Sequence, residues 1–397
     1  MSVPSSRRNL LRLLTTATLP LAFVAACSTG DVDTGASRTD TTTVDTSAAA
    51  PGDGSGEPGA DDSRLILVTG TGNSTETGVV GPDGTVTTLA SAPGSVRPAV
   101  VRLADGSVAV GDSSGVTVFG PDLRDTAHAE GDATGFITHA VSSPDGRGAT
   151  FAYAVGDGEH PDRHLIVDVT VDGETSSTFS NSVPVGLTRC DDGHVSWLEA
   201  KSPAASFDGG ELGVDVAVSR INASASTGPE ADVLPAGPAP VWGHAGCGDT
   251  VSWVAGDGTA VTVEGGEANR TTIDTPRPAA EGPDVNVGEG TTSDGAVYGI
   301  SGDGLVESYT FTPEPGFHTA TAGFTGIAGA TVTGGGVTRP VGVAWSDGVS
   351  AGAPVTATMF DPTDPECAVE LGTVVLPGDT TVLAATVRGT VEPSCGR

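Results

Sequence analysis

Pro184-Val185-Gly186 leads into Cys190-Asp191-Asp192-Gly193-His194-Val195-Ser196-Trp197, and the same order returns as Pro240-Val241-Trp242 leading into Cys247-Gly248-Asp249-Thr250-Val251-Ser252-Trp253. Each copy reads as a short apolar segment opened by proline, a polar turn flagged by cysteine and aspartate, and a second segment ending Val-Ser-Trp. Residues of this kind, in short runs bounded by Gly, Asp and Pro, make strands and tight turns. A second strand closely following the first makes each copy a hairpin.

Working outward, the pattern fills the chain from Ser63 to Arg397. Strand-length segments occur at Leu65-Ile66-Leu67-Val68, Ser107 to Val110, Thr150 to Tyr153, Leu165 to Val169, Val214 to Val218 and Thr380 to Val387. No long stretch carries the apolar i, i+3, i+4, i+7 spacing of a helix. Asp-Gly turns separate the strands at Asp83, Asp105, Asp145, Asp192, Asp294 and Asp347, because this pair tolerates the positive φ angles of tight hairpins. Aspartates 105, 145, 192, 249, 294 and 347 are spaced by 40, 47, 57, 45 and 53 residues.

A period of 40–50 residues with three or four strands per unit is the mark of a β-propeller. About 335 residues at that period predict an all-β fold of seven blades, with six and eight open and tandem β-sandwiches as the competing architecture. A strand within Thr380–Val391 is expected to close the ring on the first blade. The run Ser143-Pro144-Asp145-Gly146-Arg147, followed by Phe151, resembles the blade motif of TolB-type and WD40-like propellers over about ten residues.

Residues 1–26 read as a targeting segment. Arg7, Arg8 and Arg12 precede an apolar stretch from Leu13 to Ala26 that is too short to span a bilayer. Val24-Ala25-Ala26-Cys27 resembles the lipobox of bacterial lipoproteins. That resemblance implies a diacylglyceryl group on the Cys27 thiol, cleavage before it, and a protein held to the outer face of the cell membrane. Ser6-Arg7-Arg8-Asn9-Leu10-Leu11-Arg12 is similar to a twin-arginine export signal, with Leu10 where that family usually has Phe. An ordinary basic leader is the alternative.

Residues 27–62 follow as the lipidated cysteine and a linker. Val32 and Val44 are the bulky apolar residues of 28–62, against eight acids and one arginine. Such a segment cannot bury enough surface to fold and is expected to be disordered. As a coil it spans roughly 30–35 Å, enough to lift the domain clear of the head groups.

The chain has 18 basic and 50 acidic residues, a net charge of −32. Three arginines and no acid leave with the leader, so 15 against 50 remain, or −35. This field repels nucleic acid and anionic head groups, which excludes both as partners of a basic patch. Scarce lysine beside abundant Ala, Gly, Val, Asp and Thr suits a high-GC, actinobacterial type of genome. Cys190, Cys247, Cys367 and Cys395 remain after Cys27, an even number that suits two disulfides in an oxidising compartment. Four cysteines allow three pairings. In a propeller, Cys190 and Cys247 end equivalent inner strands of adjacent blades and can meet if their Cα atoms come within about 7 Å. Cys367 and Cys395 would then tie the chain end to the last blade.

The densest polar cluster is Asp157-Gly158-Glu159-His160-Pro161-Asp162-Arg163-His164. Glu159, His160, Asp162 and His164 are competent ligands for Zn²⁺. The plain alternative is a solvated hairpin tip. His194 and His244 flank the cysteine units, and His244-Ala245-Gly246-Cys247 is similar to the His-Gly and Cys neighbourhood of periplasmic zinc chaperones, whose histidine-rich stretches are absent. Gly111-Asp112-Ser113-Ser114-Gly115 and Gly348-Val349-Ser350-Ala351-Gly352 fit the nucleophile-elbow pattern, but both lie between strands, where no strand-to-helix turn is available. Trp197 and Trp253 pack between blades or, alternatively, form a stacking platform for a sugar. No phosphate-binding, dinucleotide, zinc-protease or EF-hand motif occurs.

Three functions follow from this reading. The first is a non-enzymatic envelope lipoprotein, a scaffold binding a small ligand or an envelope protein at one mouth of a propeller. The second is a metal-binding or metal-delivery lipoprotein using His160 and His164. The third is a hydrolase or lactonase with carboxylates at the channel mouth.

Overall fold

The computed structural model of the chain describes residues 65–94, 97–131, 136–154, 163–180, 184–200, 216–222, 230–234, 240–255, 257–273, 288–292, 295–311, 314–324, 326–334, 340–346 and 352–389. The leader, Cys27 and the linker lie outside them. The described residues form a seven-bladed β-propeller: seven four-stranded antiparallel meanders in a ring, with strands following one another in chain order within blades 2–7.

The innermost strands are Ala99–Arg102 (blade 2), Ile137–Ser142 (blade 3), Val185–Arg189 (blade 4), Pro240–His244 (blade 5), Gly288–Thr291 (blade 6) and Ile327–Thr333 (blade 7). Blade 1 is assembled from both ends of the folded region. Its inner strand is Thr381–Val387, paired antiparallel with Leu65–Thr71, so that Leu65 stands opposite Val387. The closing strand expected near the C-terminus is therefore present.

The core is divided among the blades. Seven hydrophobic clusters occupy seven blade-to-blade interfaces, the last joining Val341, Val343 and Trp345 of blade 7 to Leu65, Leu67, Ala385 and Val387 of blade 1. This explains why the second strand of each blade is so apolar. Val108–Asp112 and Val251–Ala255 are buried at every position, since a neighbouring blade covers each face. Outer strands have only one covered face at most: Glu267–Thr272 is exposed throughout and reads Glu-Ala-Asn-Arg-Thr-Thr.

Trp197 sits in the interface between blades 3 and 4 with Val141, Ala152, Ile166 and Leu187. Trp253 takes the same place between blades 4 and 5 with Leu198, Val218 and Val261. Both are 0% exposed. The stacking-platform reading is thereby corrected: these rings have no face to offer a ligand, and their contribution is packing.

The Asp-Gly turns have a common geometry. The carboxylate Oδ1 of the aspartate accepts the backbone N–H two residues on, at 2.9 Å for Asp105 and Ser107, 2.8 Å for Asp145 and Arg147, and 3.1 Å for Asp192 and His194. The glycine that follows the aspartate takes positive φ. These three turns link the first and second strands of blades 2, 3 and 4 and lie at one end of the ring, here the lower end, where the inner strands finish. Asp347 is out of phase with them. It falls in 347–351, outside the described residues, between the second and third strands of blade 7. The first connection of that blade is opened by Gly334 instead.

Candidate functional site at the upper end of the ring

The two ends of the ring differ. At the lower end the blades are fastened to each other. Cys190 and Cys247, each just past an inner strand, form a disulfide with Cα atoms 5.5 Å apart. The Asp145 N–H donates to Asp191 Oδ1 at 2.8 Å, joining the turns of blades 3 and 4. Ser142 donates its hydroxyl to the Gly334 carbonyl at 2.7 Å, linking blade 3 to blade 7 across the ring. The inner strand of blade 7 also pairs in parallel with that of blade 6, and its Thr331 hydroxyl accepts the Ala385 N–H of blade 1. It therefore contacts blades on several sides. Cys367 is disulfide-bonded as well, and its expected partner, Cys395, lies outside the described residues.

The upper end, where the inner strands begin, holds the long connections. The three longest segments between strands are 155–163, 201–215 and 273–287. Each leaves and returns to the upper ends of strands. Loops on a rigid scaffold are where binding groups concentrate.

The inner strands are also irregular here. Register shifts fall between Val68 and Thr69 opposite Leu383, between Ile137 and His139, between Val185 and Thr188, between Pro240 and Trp242, and between Ile327 and Gly329. Five of the seven inner strands thus bulge towards the same end. A bulge leaves a residue unpaired and re-aims its side chain, and bulges gather at barrel rims and beside sites.

Blade 3 contributes the chemistry. His139 follows the bulged Thr138 and is half-buried. The Thr138 hydroxyl donates to the Ala152 carbonyl at 3.2 Å. The same hydroxyl lies 3.2 Å from His139 Nδ1, a hydrogen bond that runs in the direction set by the ring tautomer. Desolvation, followed by the nearby His164 and Arg97, pushes the His139 pKa down to about 4. The ring stays neutral at ordinary pH. Arg97 packs its guanidinium 5.9 Å from the centre of the Phe136 ring, and the two residues form a parallel backbone bridge between blades 2 and 3. Next to them Tyr153 is buried and donates its hydroxyl to the Gly115 carbonyl at 2.9 Å. Burial first, then the Asp112 charge, raises its pKa.

Of the expected zinc ligands, His164 begins the third strand of blade 3, opposite Ala154, and is 2% exposed. Glu159, His160 and Asp162 lie outside the described residues, in the segment that leads into it. His194 and His244 are at the lower end: His194 Nδ1 lies 3.0 Å from Asp192 Oδ2, and His244 Nδ1 lies 3.1 Å from the Thr188 hydroxyl. The structure separates them from His164 by the height of the ring. Among the described residues no group of three or more His, Cys, Asp or Glu side chains is placed to hold a metal ion.

Ser113 of the first elbow pattern sits on a hairpin turn and donates to the Pro93 carbonyl at 2.6 Å, while Asp112 accepts the Ser114 N–H and hydroxyl. The sequence Gly-x-Ser-x-Gly makes a turn here and no elbow. The second pattern, at Ser350, lies outside the described residues.

His139 had no sequence signal. A lone histidine on a strand has no spacing to mark it, and its setting depends on the bulge at Thr138 and on a neighbour 25 residues away in the chain.

No protein-family model matches the chain, and no curated protein matches it. Among solved structures it is similar to a puromycin-hydrolyzing peptidase of Mycobacterium tuberculosis, at 15% identity and TM-score 0.41, over 80% of this chain and 54% of that one. The chain thus spans about half the length of that peptidase. It is also similar to apo AztD from Citrobacter koseri (10% identity, TM-score 0.37, 82% and 98% covered). A third likeness is to the β-propeller domain of Myceliophteria thermophila Cps50 (Swd1), at 11% identity and TM-score 0.37, with 72% and 88% covered.

Proposed function

We propose that this chain is a cell-envelope lipoprotein whose propeller is a non-enzymatic binding scaffold, taking a small ligand or an envelope protein at the upper end of the ring. The observation that carries this reading is the asymmetry of the two ends. The lower end is tied down by tight turns, a disulfide and the Ser142–Gly334 hydrogen bond. The upper end collects the long connections, the bulged strand starts and the His139 imidazole. The lipobox-like Val24-Ala25-Ala26-Cys27 supports attachment by lipid outside the cell membrane, with the acidic linker as spacer. The charge of the mature chain argues against nucleic acid.

Photo-crosslinking in cells tests the reading. A benzoylphenylalanine at Leu383 or Ala328, at the upper end, should give discrete adducts, and one at Asp105 or Asp192, at the lower end, should give none. Adducts from the lower end, or none from either, would overturn it. Cys27→Ser should move the protein from the membrane to the soluble fraction.

A second reading, metal binding, is favoured by one observation. His164 stands close enough to His139 for the two rings to repel when charged, and Glu159, His160 and Asp162 immediately precede it in the chain. Zinc content of the full chain decides this. Stoichiometric zinc lost in a His160→Ala, His164→Ala double variant supports it, and background zinc in both proteins removes it.

A further inference from the structure

The Cys190–Cys247 bridge at the lower end joins two unlike halves. Cys190 is 3% exposed and sits in an ordered turn. Its N–H donates to the His194 carbonyl at 2.8 Å, and its own carbonyl accepts from the Gly193 N–H and from Arg189 Nη1. Arg189 is held in turn by the buried Asp168. Cys247 instead opens a run of four exposed residues, Cys247 to Thr250, in the equivalent turn of blade 5. The Gly246 carbonyl oxygen lies 4.0 Å from Cys190 Sγ, so backbone of the blade 5 turn lies against the buried sulfur. Thiol–disulfide exchange depends on which sulfur a thiolate can reach. Cys190 offers almost no surface for that contact, whereas Cys247 stands in the exposed run.

We infer that Cys247 is a site of thiol–disulfide exchange with a small thiol, and that Cys190 is the buried thiol that reverses it. In the forward step the incoming thiolate bonds to Cys247 Sγ. The bond between the two cysteine sulfurs breaks, and its electron pair leaves on Cys190 Sγ, which takes a proton from water. In the reverse step Cys190 returns that proton to water, attacks Cys247 Sγ and expels the small thiolate. The small thiol is the only co-reactant. The hydrogen bonds of the Cys190 turn do not involve its sulfur, so Cys190 stays beside Cys247 and the adduct is short-lived. Asp191, Asp192 and Asp249 stand exposed on the two turns. Their field draws a cationic thiol to the bridge and repels an anionic one. The site is at the lower end and does not depend on what the upper end binds.

Cysteamine, a small cationic thiol, is the probe, and the protein is the full chain carrying Cys27→Ser. After brief exposure and acid quenching, peptide mass mapping should find cysteamine on Cys247 and a free thiol at Cys190. The same mapping keeps Cys367 and Cys395 apart from this pair. Two further variants test the asymmetry with cystamine, the disulfide of the probe. Cys190→Ala removes the reversing thiol, so Cys247 should accumulate a stable adduct. Cys247→Ala leaves the buried thiol, which should react at least about a hundredfold more slowly, because the fold must first open around it. Both variants lack the same bridge, so a shared loss of stability leaves the comparison intact. Cysteamine found on Cys190, equal rates for the two variants, or adducts that form on the parent chain no faster than it unfolds would overturn the inference.

Discussion

The guanidinium of Arg189, on the inner strand of blade 4, crosses into blade 3 and ends on the carboxylate of Asp168. Nε lies 3.2 Å from Oδ1, and Nη2 lies 3.4 Å from Oδ2. Both side chains are buried, at 5% and 3% exposure. Nη1 donates to the Cys190 carbonyl, and the Thr150 hydroxyl donates to Asp168. Gly148 makes room, since a Cβ there would meet Arg189 Cζ at 2.4 Å. Burial pushes the Asp168 carboxyl up, against the pull of Arg189 and Thr150. An ion pair in such surroundings contributes little net stability, but breaking it is costly because one charge is left unpaired.

Asp168→Ala is therefore expected to destabilise the fold by about 3–5 kcal/mol. Adding Arg189→Met removes the orphaned charge, so the double variant should lose less than the two single variants together. Urea unfolding of the four proteins measures this. Strictly additive losses would show that the pair is not coupled.

The Cys190–Cys247 bridge closes a separation of 57 residues. The loop-entropy relation gives about 4 kcal/mol for a crosslink of that length. Cys190→Ser with Cys247→Ser should lower the urea midpoint accordingly, and reductant should then have a smaller effect than on the parent chain.

His139 couples folding to pH. Its folded pKa of about 4 lies below the unfolded 6.5, so the unfolded chain takes up the proton first. The stabilisation is complete above pH 6.5, falls as pH drops towards 4, and levels off below. The ring keeps some water contact, so the loss is at most about 3 kcal/mol. Desolvation is the main cause of the lowered value, with His164 and Arg97 as the facing groups that add to it. His139→Leu should flatten this part of the stability–pH curve, as followed by thermal melts at fixed ionic strength.

Gly186 and Gly193 both take positive φ, +68° and +85°. A Cβ at Gly186 would stand 2.0 Å from the Gly243 carbonyl oxygen, whereas one at Gly193 meets nothing within 4 Å. Gly193→Ala should cost about 1 kcal/mol, from the backbone alone. Gly186→Ala should cost more than 3 kcal/mol, because the inner strands of blades 4 and 5 must separate. Similar melting temperatures for the two variants would contradict the close approach.

The repeat was legible because its physics is local. An Asx turn needs Asp and then a residue tolerant of positive φ, so Asp105-Gly106, Asp145-Gly146 and Asp192-Gly193 announce themselves. The Cys190 and Cys247 pairing was legible once those turns were in register. Blade 7 was less so, because its first connection begins at Gly334 and the Asp-Gly at 347 belongs to the next connection. The site was largely hidden. Glycine and serine in Gly111–Gly115 gave a motif without its geometry. His139 gave geometry without a motif, since the strand bulge at Thr138 and the contact between Thr138 and His139 arise from pairing between strands that no local residue pattern encodes.

The pairing of Leu65 with Val387 makes the first strand of the domain wait for the last. While the chain is being synthesised, the blade that starts the ring lacks its inner strand and presents an open edge. A ring of this kind closes only once the strand ending at Val387 is available to pair. The same edge accepts any strand of matching sequence, and the nearest source is a second copy of the chain. Loss or fraying of the last strand therefore leads towards exchange between molecules, with each copy completing its neighbour's first blade.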